Sequence, residues 1–71
     1  MYKVNDTPFF KLDDSADPGY VRVQLKKPKF KILGYQCWQA KVTEITKPSS
    51  FHNVKVGTTL TVSEKLLINK V

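Results

Sequence analysis

The sequence is poor in the residues from which metal and nucleophile sites are usually built. Cys37 is the only cysteine and His52 the only histidine among the 71 residues. No intrachain disulfide can form, and two such residues do not complete a zinc site of the common Cys/His types. A Cys–His nucleophile pair would also lack a third, orienting group. The sequence therefore predicts no metal, no cofactor and no enzyme activity.

Glycine and long apolar runs are scarce as well. The three glycines do not form a phosphate-binding motif. The longest apolar runs, such as Leu66–Ile68, fall far short of the ~20 residues of a membrane-spanning helix. The first residues carry no apolar secretory signal. Together with the single cysteine, these absences predict a cytoplasmic protein that has no membrane partner.

An acidic stretch at residues 13–17 has part of the spacing of an EF-hand calcium loop. Pro18 stands where that loop needs its glycine, and Gln24 stands where it needs glutamate. The stretch is therefore predicted to be a turn with solvated carboxylates, and no metal site is expected there.

Strand signals dominate what remains. Four prolines interrupt any long helical period, and β-branched and aromatic residues are frequent. Residues 20–25 and 35–46 alternate between apolar and polar side chains, so each predicts a strand with one buried face. In the second strand, Ile45 keeps to the buried face only if a β-bulge adds one residue near Thr43-Glu44. The expected core residues of these two strands are Val21, Val23, Leu25, Trp38, Ala40 and Val42.

Short elements are predicted on either side of this pair. Ser63 is placed to cap a single 3₁₀ turn over residues 64–66. Further strands are predicted at residues 2–4, 9–12, 58–62 and 67–71. Short strands separated by turns indicate an all-β fold, and closure of the sheet would hide its edges. We therefore expect a small SH3-like barrel or roll of five to six short antiparallel strands, with an OB-like barrel as the second choice.

Charge is distributed unevenly along the chain. Lys and Arg number 12 and Asp and Glu number 6, which gives a net charge of +6. Residues 1–19 hold two lysines against four aspartates, a net charge of −2, whereas residues 20–71 have a net charge of +8. A chain of this length has room for one domain. We predict a single β-barrel domain over residues 1–71, in which residues 1–19 form an acidic N-terminal hairpin arm.

The densest charge lies at residues 26–31, which contain four lysines and no acidic residue. Clustered cations bind nucleic acid through its phosphates, because the release of counterions supplies much of the affinity. Pro28 is expected to keep this segment out of the sheet, as a loop or arm. The predicted contact residues are Lys26, Lys27, Lys29 and Lys31, supported by Arg22 and Lys41.

Two aromatic residues, Phe30 and Tyr35, lie in or beside this basic segment, where their rings can stack on unpaired bases. The chain has eleven lysines and one arginine. Lysine makes point-charge contacts with phosphate, whereas arginine is the usual reader of base edges. We therefore predict a small, basic, non-enzymatic protein that binds DNA or RNA mainly through phosphates and with weak sequence specificity.

The same features fit a second function, that of a protein-interaction module. A lysine-rich segment also complements an acidic surface on a larger protein. Phe9 and Phe10 must point to opposite faces of one strand, which leaves one ring for a partner. With Phe51, they form the predicted protein interface. In this alternative the chain is, for example, a small phage-encoded inhibitor or an accessory subunit that docks on a larger enzyme.

Overall fold

A computed structural model describes residues 2–13, 15–16, 18–48 and 53–69. These residues form five β-strands and one 3₁₀ turn, in the order β1 (Phe9–Lys11), β2 (Tyr20–Ile32), β3 (Tyr35–Lys47), β4 (Thr59–Ser63), the 3₁₀ turn (Glu64–Leu66) and β5 (Leu67–Ile68). The strand predicted at residues 2–4 is absent, because the chain makes a turn at Val4 and Asn5 instead. The last two residues of the strand predicted at 67–71 lie outside the described residues.

All the pairings between these strands are antiparallel, and they form one sheet with the order β4-β3-β2-β1-β5. The prediction of an all-β fold with five antiparallel strands is therefore confirmed. The sheet is not a closed barrel, since β4 and β5 are its two edges in the described part of the chain. β1, which comes from the first 19 residues, lies inside the sheet between β2 and β5.

The open sheet is nevertheless strongly curled. A flat sheet of five strands would hold its outer strands about 19 Å apart, at about 4.8 Å per strand. Here only the 3₁₀ turn (Glu64–Leu66) separates the two edge strands in sequence, and a 3₁₀ turn rises only about 2 Å per residue. The end of β4 and the start of β5 must therefore lie close together. The predicted cap is confirmed, because Ser63 Oγ accepts a 3.2 Å hydrogen bond from the Lys65 N–H.

The core lies on one face of β2 and β3, inside this curl. All six predicted core residues of the two strands are buried, and they pack with Val62 of β4 and Leu67 of β5. Trp38 is only 5% exposed, which confirms it as a core residue. Cys37 is a buried free thiol on the same strand.

The register between β2 and β3 shifts where the alternation predicts it. Arg22 is opposite Glu44 and Val23 is opposite Val42, so Thr43 is one extra residue in β3. This confirms the predicted β-bulge, and Ile45 does pack against the core. A bulge of this kind bends the strand and increases its twist, which helps the sheet to curl.

The expectation that Pro28 keeps residues 26–31 out of the sheet is wrong. Pro28 lies within β2, opposite Trp38. On its other side, β2 is covered by β1 and then by residues 5–8, whose backbone bonds reach Val23 and Leu25. Beyond Leu25, no strand pairs with that side of β2 within the described residues. A proline at such an edge removes no hydrogen bond to a second strand, so it is tolerated.

β2 and β3 therefore form one long hairpin that extends past the core. Its turn has two central residues, Leu33 and Gly34, between the paired residues Ile32 and Tyr35. Both central residues have positive φ, +52° at Leu33 and +85° at Gly34. Positive φ at both positions is the type I′ pattern that matches the twist of paired strands. Glycine adopts it freely, whereas for leucine the left-handed conformation costs about 1–2 kcal/mol.

Candidate functional site

The predicted basic segment, residues 26–31, lies in the end of this hairpin. We call residues 26–36 the distal hairpin. Its four lysines are all exposed. Lys26 Nζ donates a 3.0 Å hydrogen bond to Gln24 Oε1. The side chains of the other three, Lys27, Lys29 and Lys31, form no hydrogen bond or ion pair within the described part of the chain. Because the distal hairpin also lacks acidic residues, its positive charge is not neutralised within the hairpin.

The lysines occupy both faces of the hairpin. Lys27 is opposite Gln39, and Lys31 is opposite Gln36. Along β3, Gln36 lies on the same face as the buried Trp38, whereas Gln39 lies on the other, because successive side chains of a strand alternate. Lys31 therefore extends the core-side face, and Lys27 lies on the outer face of the sheet.

The outer face also carries the two predicted supporting cations. Lys41 is exposed and lies opposite Gln24, in the same row of outward residues as Lys27. Arg22 is engaged within the protein: its Nε donates a 3.1 Å hydrogen bond to the Thr7 carbonyl, and its guanidinium lies 5.0 Å from the centre of the Phe9 ring. Lys41 thus extends the lysine surface directly, whereas Arg22 is already occupied by a cation–π contact.

The two phenylalanines predicted for a protein interface have different environments. Phe10 packs against the core, and Phe9 lies under Arg22. Both rings are half-buried, and they point to opposite faces of β1, as the sequence predicts. The third residue of the predicted interface, Phe51, lies outside the described residues, as does His52.

Large apolar side chains are exposed beside the lysines. Phe30 is 48% exposed and Tyr35 is 45% exposed, so both predicted stacking residues are accessible. Two further residues were not predicted, Ile32 at 53% and Leu33 at 89% exposure. Gly34 was the only sequence signal for a turn beside them, and leucine at the preceding position does not match the residue pairs that usually mark a two-residue hairpin turn. The distal hairpin therefore combines uncompensated positive charge with exposed apolar surface.

A groove of about 320 Å³ lies between the distal hairpin and the 3₁₀ turn. In its wall, Trp38 Nε1 donates a 2.6 Å hydrogen bond to Glu64 Oε2. Tyr2 also lines the groove, and burial, followed by the nearby charges of Glu64 and Asp6, raises the pKa of its phenol above the ordinary value. The other lining residues are Pro28, Lys31, Gly34 and Gln36.

Other kinds of site find little support in the described part of the chain. It contains no cluster of three or more His, Cys, Asp or Glu side chains that could hold a metal ion. It also contains no helix with the length and apolar character needed to cross a membrane.

Comparison with known proteins gives no further identification. The chain matches no protein-family model, no curated protein and no solved structure. The geometry of the distal hairpin therefore carries the functional argument.

Proposed function

We propose that this protein is a non-enzymatic nucleic-acid-binding protein that contacts its ligand mainly through phosphates and with weak sequence specificity. The observation that carries this proposal is the distal hairpin, residues 26–36. It presents four exposed lysines, no acidic residue, and half-exposed aromatic rings on two paired strands.

The lysine surface is suited to phosphate because three of its four charges have no partner in the described part of the chain. An exposed lysine that forms an internal ion pair must give up that pair to bind an anion, whereas Lys27, Lys29 and Lys31 give up only water and counterions. Each neutralised phosphate releases condensed counterions, and this release favours binding at low salt.

The weak sequence specificity follows from the side chains available. Lysine recognises phosphate as a point charge, and the single arginine, Arg22, is already held by Thr7 and Phe9. Phe30 and Tyr35 can stack on bases of any identity, because every base has a π face.

The fold also has a more specific interpretation. We infer that the curled sheet is an SH3-like roll in which the two edge strands approach each other across the 3₁₀ turn. Two observations support this, the strand order β4-β3-β2-β1-β5 and the separation of β4 from β5 by only three residues. Such a roll leaves the β2–β3 hairpin free to extend outward as the binding element.

Fluorescence anisotropy with a labelled DNA of about 20 nucleotides, single-stranded or double-stranded, at about 50 mM salt tests the binding proposal. We expect binding that weakens steeply with salt and is lost in the Lys27→Glu/Lys29→Glu variant. Lys55→Glu is the single-charge control at an exposed lysine near the opposite end of β3, where Gly57 and Thr58 bond to Val42. No binding to either DNA, or to RNA of the same sequence, would refute the proposal.

A second candidate function is docking on the acidic surface of a larger protein. The exposure of Ile32 and Leu33 favours it, because apolar side chains surrounded by cations also fit a protein hollow with an acidic rim. A pulldown from the native lysate, with and without nuclease, separates the two functions. Protein capture that persists after nuclease and is lost with Lys27→Glu/Lys29→Glu would favour docking, whereas recovery of nucleic acid alone would favour the first proposal.

A further inference from the structure

Leu33, at the hairpin tip, is unusual both in its backbone conformation and in its exposure. Leu33 has a φ of +52°, in a turn position that asparagine, aspartate or glycine usually occupies. Its side chain is also 89% exposed, so the fold gains almost no burial from the leucine. A strained residue that does not stabilise the free protein is a candidate for a role in binding.

The surroundings of Leu33 indicate what it meets. It lies at the end of a ribbon that carries Lys27 on one face and Lys31 on the other. A single strand that lay along one face would leave the cations of the other face unused. The two walls of a duplex groove, by contrast, present phosphates to both faces of an inserted ribbon, and β-ribbons are known to enter either the major or the minor groove of B-DNA.

We propose that the ligand is double-stranded nucleic acid, and that Leu33 enters a base step and unstacks it while the lysines hold the flanking phosphates. This inference rests on the proposed function and specifies its ligand. Apolar side chains such as leucine and isoleucine are known to act as wedges between base pairs, at a cost of a few kcal/mol per step that the additional contacts offset. Ile32 and Tyr35, which pair directly behind the tip, would line the opened step.

An anionic membrane also combines negative charge with an apolar interior, but it fits the tip less well. Interfacial anchoring buries an apolar face about 5–10 Å into the boundary between the headgroups and the acyl chains. Lys31 is two residues behind Leu33, about 7 Å along the strand, so burial of the tip to this depth would draw the charge of Lys31 toward the acyl region. Insertion into a base step, by contrast, requires only the Leu33 side chain to leave water, and the lysines stay at the level of the phosphates.

The test compares the wild-type protein with Leu33→Asn. Asparagine accepts positive φ, so this variant should fold with an equal or higher melting temperature. Leu33→Gly is the second variant, because glycine also adopts positive φ without strain. Val56→Asn is the matched control, because Val56 is a 62% exposed apolar residue in the turn before β4. The probes are two DNA duplexes of about 20 base pairs, fully paired or with one central mismatch next to 2-aminopurine, and the corresponding single strand.

A mismatch lowers the cost of opening a step, so the wild-type protein should bind the mismatched duplex about tenfold more tightly than the paired one. It should also raise the 2-aminopurine fluorescence. Leu33→Asn and Leu33→Gly should bind both duplexes equally, with the wild-type salt dependence and no fluorescence rise. Val56→Asn should behave as wild type.

The outcomes separate this inference from the proposed function. If the wild-type protein binds no nucleic acid, both fail. If all variants bind the two duplexes alike, or if the single strand binds more tightly than either duplex, the wedge is refuted while phosphate binding stands. If Leu33→Asn weakens binding to phosphatidylserine vesicles but not to the duplexes, the tip inserts into lipid and the inference is overturned.

Discussion

Trp38 and Glu64 are joined by a 2.6 Å hydrogen bond from the indole Nε1 to the carboxylate Oε2. Trp38 belongs to β3, the strand beside the edge strand β4, and Glu64 begins the 3₁₀ turn between the two edge strands. The bond therefore ties an interior strand of the sheet to the connection between its edges. A buried indole N–H without a partner would be unfavourable, so Glu64 also satisfies the main polar group of the core.

Glu64→Ala should lower the free energy of unfolding by about 1–2 kcal/mol, because it removes a charged acceptor and leaves the indole N–H unsatisfied. Glu64→Gln, whose amide oxygen can accept the same bond, should recover part of the loss. Urea unfolding followed by the fluorescence of the single tryptophan measures both. Glu44→Ala, which removes an exposed carboxylate of β3, is the control and should change stability by less than about 0.5 kcal/mol. Equal losses of unfolding free energy in Glu64→Ala and Glu44→Ala would show that the hydrogen bond between Trp38 and Glu64 does not stabilise the fold.

Leu25→Ala should destabilise the protein by about 2–5 kcal/mol, since Leu25 is fully buried and its truncation leaves a cavity. In so small a domain this is a large part of the total stability. Val56→Ala, at a mostly exposed position, should have little effect. Thermal unfolding monitored by circular dichroism distinguishes the two. A melting temperature that Leu25→Ala leaves unchanged would contradict the core described above.

Gly34→Ala should destabilise the protein by about 1 kcal/mol, because Gly34 has a φ of +85° and alanine is strained there. Within the described part of the chain, no atom beyond the two neighbouring residues lies within 4 Å of the position that a Cβ would take, so steric contact does not contribute. Gly34→Asn should cost less, because asparagine tolerates the left-handed region. Urea unfolding of the two variants gives the comparison, and a larger loss for asparagine than for alanine would exclude backbone strain as the cause.

Stability should fall above pH 10 in a way that depends on Tyr2. Burial and the nearby carboxylates raise the pKa of its phenol in the folded protein above the ordinary 10.0. The unfolded chain therefore loses this proton at a lower pH than the folded one. The stabilisation is complete below about pH 10 and is lost as the pH rises through the folded pKa. Tyr2→Phe should reduce the decline in unfolding free energy between about pH 8 and pH 11, and Tyr35→Phe is the control for loss of a phenol. An identical decline in Tyr2→Phe and wild type would contradict this.

Each exposed lysine of the distal hairpin should contribute separately to the salt dependence of duplex binding. Lys29→Ala should reduce the slope of log affinity against log salt by about 0.9, the expected contribution of one duplex phosphate contact. Lys55→Ala should leave the slope unchanged. Anisotropy titrations between about 50 and 200 mM salt measure both slopes. Equal slopes for wild type and Lys29→Ala would remove Lys29 from the binding surface.

The parts of the fold that the sequence predicts are those governed by local periodicity. The alternation of Val21, Val23 and Leu25 places them in the core, and the misplaced Ile45 predicts the bulge at Thr43. Ser63 likewise marks the 3₁₀ turn. Each of these depends on neighbours within a few residues, so the pattern alone suffices.

The predictions that are wrong or incomplete concern features that depend on segments distant in the sequence. Pro28 can lie in β2 because, among the described residues, no second strand pairs with β2 on the side away from β3 at that point. That depends on how far β1 and residues 5–8 extend along β2. The sequence therefore identifies the lysines of the candidate site but not the ribbon that holds them. It also does not reveal Leu33 as part of the site, because leucine is an uncommon residue for the turn it occupies.

The long hairpin also divides the protein into two levels of local stability. The buried residues of β2 end at Leu25 and those of β3 begin at Cys37, so residues 26–36 contribute no buried side chain to the core. Their amides should exchange with solvent deuterium by local fraying, long before global opening releases the protons of Val23 or Val42. The end of the hairpin can therefore bend, open and close again around a ligand while the folded core remains intact.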